Sequence, residues 1–360
     1  MSTLTGIGRY TYEIAKQIEK TKEFKCNYFY GYYSKKLLHP STREDMKFFK
    51  NIIVKSPFLK RIARKVPILS SKLFAPNFDI YWQPNFIPTD GLEAQKIVTS
   101  VHDFSFILHK KFHPKERIEY FEKKFFKNIV KSDVIITGSK FSKQEILERL
   151  NFDESKVKVI YHGIDHELFK VYNNLNVGFK LPNKFIFSVG SIEPRKNLIG
   201  LLKAYNSLDS KIKNEYKLVL AGFKGWENSE IMQLIDNDKE NIHYIGFISD
   251  VELSKVYNLA SCFVFPSFYE GFGLPVLEAM ACGAPVVCSD SSSLPEVGDN
   301  AVVYCNPYDI NDIKEKIKLV LSDAILQQEM RAKGLQRAKK FSWEQSAKEH
   351  IKVFREVLNH

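Results

Sequence analysis

The chain has 360 residues, a length that suits two domains, and its 44% hydrophobic and 26% charged content excludes a disordered or fibrous protein. No run approaches the roughly 18 uncharged apolar residues of a membrane span, and the N-terminus lacks a secretory pattern. The net charge of +11 is one-sided: residues 1–170 hold 31 Lys+Arg against 19 Asp+Glu, and residues 171–360 hold 22 against 23, which suggests two halves with different partners.

In chain order, Gly6-Ile7-Gly8 leads into a helix over Tyr10–Glu19. Apolar runs that read as strands follow at Cys26–Tyr30, Ile80–Trp82, Ile97–Val101, Val134–Thr137 and Val157–Tyr161, with helices at Lys115–Val130 and Lys143–Leu150. Leu168–Pro182, with Asn173, Asn174, Asn176 and Gly178, reads as a connection. The second half has runs at Phe185–Val189, Lys217–Ala221, Ile242–Ile245, Cys262–Pro266, Pro285–Cys288 and Ala301–Tyr304, with helices at Leu198–Leu208 and Val251–Leu259. Alternation of helices with uninterrupted apolar strands predicts α/β architecture, with two Rossmann-like parallel-sheet domains facing a central cleft. The expected units are 1–170, 171–344 and a terminal helix, 345–360. Cys26, Cys262, Cys282, Cys288 and Cys305 show no metal spacing and predict reduced thiols in the cytoplasm.

Ligands of open α/β sheets bind beyond the carboxyl ends of strands. His102-Asp103 follows one run, and Gly190-Ser191-Ile192-Glu193-Pro194-Arg195-Lys196-Asn197 another. The strongest signal follows Cys262–Pro266: Glu270-Gly-Phe-Gly-Leu-Pro-Val-Leu-Glu278, continuing to Gly283. Gly271 and Gly273 permit close backbone approach and positive φ, and Pro275 suits a helix start. The free N–H groups and positive helix end form an anion seat. Glu270 and Glu278 flank it and can accept hydrogen bonds from sugar hydroxyls. Arg195 and Lys196 place two cations in a loop that follows a strand and opens a helix. Gly6-Ile7-Gly8 lacks the third glycine of a dinucleotide fingerprint, having Thr11 there. Asp236-Asn237-Asp238 matches a metal-binding D-x-D string but sits at a polar helix end, so no metal is expected.

The Glu270–Glu278 stretch resembles the E-x7-E signature of retaining glycosyltransferases of the GT-B fold, family 4 (group 1), particularly bacterial mannosyltransferases of polysaccharide and O-antigen synthesis. The resemblance takes in Gly6–Tyr10, Val101–Asp103, Val189–Asn197 and Leu294-Pro295-Glu296-Val297. It implies an acceptor-binding first domain and a nucleotide-sugar-binding second one, with the terminal helix packing back on the first. Glu278 would bind the ribose, Glu270 and His102 the donor sugar, and Gly271, Phe272, Gly273 and Leu274 the sugar and diphosphate. Gly6 and Gly8 would form a loop near the phosphates, with Gly190, Arg195 and Lys196. Gly222 with Phe223–Trp226, and Gly246-Phe247, would flank the base. Relatives carry an Arg where this chain has Ser191, a place Arg195 would fill. Relatives also have a strand before the first loop, where only Met1–Thr5 stand here, so a truncated or mis-set start and a weakened first sheet are expected.

The implied reaction is metal-independent hexosyl transfer with retention, using no cofactor, with GDP-mannose the favoured donor. The implied acceptor is a saccharide or polyprenyl-diphosphate-linked saccharide for surface polysaccharide or lipopolysaccharide. A basic amphipathic stretch, Lys55–Leu69, has Lys60, Arg61, Arg64 and Lys65 among Phe58, Leu59, Ile62 and Val66. With Lys123, Lys124 and Lys127 beside Phe121, Phe125 and Phe126, it predicts peripheral contact with anionic lipid at the inner face of the membrane. A nucleotide-sugar 2-epimerase and a non-catalytic sugar-nucleotide binder remain alternatives. The charge balance of the second half and the lack of a binding motif argue against nucleic acid.

Overall fold

The β-branched and aromatic runs form two parallel sheets, and period-2 alternation sends their side chains to opposite faces. The computed structural model describes residues 6–30, 33–38, 77–223, 225 and 229–359. Its first sheet has four parallel strands in the order β3 (Ile80–Gln83), β4 (Lys96–Ser100), β5 (Val134–Thr137), β6 (Val157–Val159), with Val98 opposite both Trp82 and Val134. The second has six: β12 (Val303–Cys305), β11 (Val286–Ser289), β10 (Cys262–Phe265), β7 (Phe185–Val189), β8 (Lys217–Ala221), β9 (Ile242–Gly246). Along β10, Phe263 and Phe265 enter one core while Cys262 and Val264 enter another, so this sheet is covered on both faces.

Helix α1 (Gly6–Thr21) lays Tyr10, Ile14 and Ile18 against Val98, Val134 and Ile136. The C-terminal helix Trp343–Leu358 adds Trp343, Ala347, Ile351 and Phe354 to the same core, so the end of the chain returns to the first sheet. Tyr10 Oη bonds Ser100 Oγ (2.8 Å) and His350 Nε2 (2.7 Å) inside that core. The connection after Leu168 is likewise anchored, since buried Phe169 packs edge-on to Tyr257.

Gly6-Ile7-Gly8 is the first turn of α1, not a loop, because the stripe buried with Tyr10 continues to Gly8. Cys26–Tyr30 adds no strand to the parallel sheet. Its Tyr28–Phe29 (β1) pairs antiparallel with Tyr33–Ser34 (β2), a pairing of segments only a few positions apart in sequence. The helix expected from Lys143 starts at Lys140, because the Ser139 hydroxyl accepts from Ser142 N–H at 3.0 Å. In the helix Lys115–Ile129, Phe121 and Phe125 are core residues and only Phe126 of the three is exposed. Met1–Thr5 and Lys55–Leu69 lie outside the described residues.

Candidate active site

Strands β7 and β10 are neighbours, so the segments leaving their carboxyl ends meet. After β7, Pro194 opens a single 3-10 turn carrying Arg195 and Lys196. After β10, the chain loops to Gly273, whose φ of 111° starts the helix Leu274–Ala281. Lys196 Nζ stands 2.7 Å from Glu270 Oε1, and Arg195 Nη1 3.0 Å from Glu270 Oε2. Arg195 also donates to Tyr269 O at 2.6 Å and pairs with Glu193 at 3.0 Å. Burial by itself would raise the Glu270 carboxyl, but the Arg195 and Lys196 charges overcome this and hold it at about 2. Burial and the Arg195 charge push the Lys196 ammonium below the ordinary lysine range, against the pull of Glu270. Two partly buried cations therefore converge on one buried carboxylate.

Glu278, one turn into the helix, faces the first half of the chain. Arg9 of α1 reaches it at 2.6 Å through Nη1 and reaches Asp250 at 2.7 Å through Nη2. Tyr257 Oη donates to its other oxygen at 3.2 Å. Burial nevertheless raises the Glu278 carboxyl to about 7, with Arg9 opposing the shift.

The loop between these carboxylates is gripped from the first half. A side chain at Gly271 would put its Cβ 2.1 Å from the His102 carbonyl oxygen, so only glycine fits. Ser139 Oγ donates to Gly271 O at 2.9 Å. Tyr269 Oη donates to Glu145 and accepts from Phe104 N–H. Glu296, in the predicted Leu294–Val297 segment, accepts from Lys140 N–H (2.8 Å) and Phe141 N–H (2.7 Å) at the start of the helix Lys140–Arg149. His102 is buried, its Nε2–H donates to Pro84 O at 2.8 Å, and burial lowers its basicity. The neutral ring keeps Nδ1 as an acceptor. Asp103 accepts from Ser105 N–H and hydroxyl, an orienting role at the turn.

The fold thus brings His102, Arg195, Lys196, Glu270, Gly271, Phe272, Gly273, Leu274 and Glu278 to one place, with Gly190 against the Lys196 stem and Gly6 against Leu274. Phe272 is buried with its ring 4.8 Å from that of His162. Farther along the sheet, Gly222 directly follows β8 and Gly246 ends β9. There Phe247, 59% exposed, stacks on Phe223 at 4.4 Å. Trp226 lies outside the described residues. Asp236 and Asp238 pair locally with Lys239 and Asn241. No sequence pattern marks Arg9, Glu145, Asp250 and Tyr269 as interdomain contacts. Each comes from a different element, and their partners are 124 to 269 residues away.

Residues 4–168 match the Glycosyltransferase Family 4 model and residues 175–339 the Glycosyl transferases group 1 model. The O-antigen chain mannosyltransferase B of Escherichia coli is 33% identical over 98% of this chain and 96% of its own length. The serotype-specific mannosyltransferase WbdA of Escherichia coli is 33% identical over 76% of this chain, which spans 35% of that longer protein. Among solved structures, Anabaena HepE in complex with UDP and glucose superposes with a TM-score of 0.68 at 14% identity, covering 99% of this chain and 97% of that one. A Rickettsia africae glycosyltransferase gives 0.62 at 17% identity, covering 99% and 96%. The chain belongs to the group 1, family 4 glycosyltransferases and has their GT-B fold.

Proposed function

We propose that this glycosyltransferase moves a hexosyl group, mannose favoured, from a nucleotide-diphosphate sugar to a saccharide or polyprenyl-diphosphate-linked saccharide, with retention and without a metal ion. The carrying observation is the convergence of Lys196 and Arg195 on Glu270, with Glu278 one turn into the helix that follows. Partly buried cations at a helix start would meet the donor diphosphate and stabilise the charge that grows there as the glycosidic bond breaks. Glu270 would hold the donor sugar, with the buried His102 alongside, and Glu278 the ribose hydroxyls. These groups orient the donor and exclude water, which is most of what such a reaction asks of a protein. The O-antigen mannosyltransferase relatives support mannose, with GDP-mannose as the favoured donor, in surface polysaccharide synthesis.

No helix among the described residues is long and apolar enough to cross a membrane. Peripheral contact at the inner membrane face is supported by the helix Lys115–Ile129, where Tyr120 and Phe126 are 52% and 42% exposed beside exposed Lys123 and Lys127. Lys124 is held by Asp90 at 2.7 Å and so is not part of that face.

Thermal shift with GDP-, UDP-, ADP- and dTDP-sugars tests the donor, since a ligand at 100 times its Kd adds about 2.7 kcal/mol. GDP-mannose is expected to stabilise most. Incubation with donor alone, then with acceptor, followed by NMR of the product with and without EDTA, tests transfer, retention and metal independence. Release of a free epimer from donor alone would overturn the reading.

A further inference from the structure

A row of near-parallel rings crosses from one half of the protein to the other beside this site. Tyr308 lies on Phe268, with centroids 4.9 Å apart and planes at 30°. Phe268 lies on Phe112 at 5.5 Å and 9°, and Phe112 on His109 at 5.5 Å and 15°. His109 and Phe112 come from the first half, Phe268 from the loop after β10, and Tyr308 from the loop after β12. The outer member, Tyr308, is 70% exposed.

We propose that Tyr308, backed by Phe268 and Phe112, is a stacking platform for a pyranose ring of the acceptor glycan. The proposal rests on the donor reading above and adds where the second substrate lies. One ring face of Tyr308 is spent on Phe268, leaving the other open. An aromatic face is electron-rich, and the C–H face of a pyranose carries the complementary positive edge while its hydroxyls stay in water. An extended aliphatic partner would gain little from a single ring at such exposure.

The position relative to the reacting groups supports this occupant. Phe268 N–H donates to Arg195 O at 3.0 Å, and Glu270 is two residues on. Asn197, directly after Lys196, donates its side-chain N–H groups to Pro266 O (3.1 Å) and Pro307 O (2.7 Å), so both platform loops are tied to the cation turn. Across the sheet, β8 and β9 lie on one side of β7, and β10, β11 and β12 on the other. A nucleoside near Gly222 and Gly246 would leave the Tyr308 side free for a second sugar. Since the row draws rings from both halves, it exists only while they are together, which joins acceptor binding to assembly of the site.

The test uses the full chain with Tyr308→Ala and Tyr308→Trp, and methyl α-mannopyranoside, methyl α-glucopyranoside and α-mannobiose as probes in the presence of GDP. Saturation-transfer NMR on the wild type is expected to show contact through pyranose C–H protons. Tyr308→Ala should weaken the responding glycoside roughly two- to tenfold, while Tyr308→Trp preserves it and GDP affinity and Tm stay at wild-type values in both. Unchanged glycoside affinity in Tyr308→Ala, or no wild-type response to any probe, overturns the platform. So does a parallel loss of GDP affinity or Tm, which would mark a structural clamp. A wild-type chain that no nucleotide stabilises defeats the donor reading instead, and the glycoside measurement still decides the platform by itself.

Discussion

Arg9 and Glu278, 269 positions apart in sequence, are joined at 2.6 Å, and the same guanidinium holds Asp250 at 2.7 Å. The first helix therefore reaches across the cleft into the carboxylate proposed to read the ribose. Arg9 is largely buried and its charge is favoured by both acidic partners, although burial opposes it. Arg9→Met should leave Glu278 buried with Tyr257 as its remaining hydrogen-bond partner, and the carboxyl should protonate at higher pH than in the wild type. Loss of one partner from a buried pair costs about 3–5 kcal/mol. Chemical denaturation of the variant measures it.

The sign of the pH dependence at Glu278 follows from its direction. Its folded-state pKa, about 7, lies above the ordinary 4.5, so the folded state holds the proton more tightly. Its contribution to stability is fully present below about 4.5 and is lost as pH rises through about 7. Nucleotide affinity should move oppositely, strengthening as pH rises through that value, because the ionised carboxylate is the stronger acceptor for a diol. Calorimetric titration with GDP between pH 6 and pH 8 checks this. Glu278→Gln should bind more weakly and lose the dependence, and an equal slope in both proteins would contradict the assignment.

Lys196→Ala should reduce turnover on the order of 10²-fold while changing donor affinity far less, since charge on the leaving diphosphate increases toward the transition state. Steady-state kinetics that separate kcat from KM show which term moves. Glu270 is the converse case. Its carboxyl is held at about 2, below 4.5, so its contribution is present above about 4.5 and is lost as pH falls through about 2. Glu270→Gln should therefore destabilise at neutral pH, leaving Arg195 and Lys196 without their shared counter-charge.

Gly271→Ala tests the join between the halves. Its methyl group would lie 2.1 Å from the His102 carbonyl oxygen, so the loop must withdraw from His102 and Ser139. Lower Tm and lower turnover are expected together, while a Gly246→Ala control, with nothing within 4 Å of its Cβ, meets only the strain of its φ of 72°.

For the membrane face, sedimentation with anionic vesicles at low salt, but not with neutral ones, is expected. Lys123→Gln with Lys127→Gln should weaken it by about 1 kcal/mol per residue removed while sparing nucleotide binding. Equal recovery with both vesicle types would leave a soluble acceptor as the better reading.

The sequence alone was enough for the α/β class, both parallel sheets and the residues beyond β7 and β10. Uninterrupted apolar runs and the spacing of Gly271, Gly273, Pro275, Glu270 and Glu278 are local properties, set by backbone periodicity and φ. It misassigned Gly6–Gly8, because glycines read as a loop until the buried stripe of Tyr10, Ile14 and Ile18 is seen to continue through them. It placed Phe121 and Phe125 beside surface lysines, because the face of a helix that turns inward depends on what packs there. Only the tertiary structure paired Arg9 with Glu278 and Tyr269 with Glu145, and only it aligned Tyr308, Phe268 and Phe112. Such contacts join residues with no common period or spacing. They form only because the two sheets fix the loops at their carboxyl ends opposite one another, at distances that no local pattern encodes.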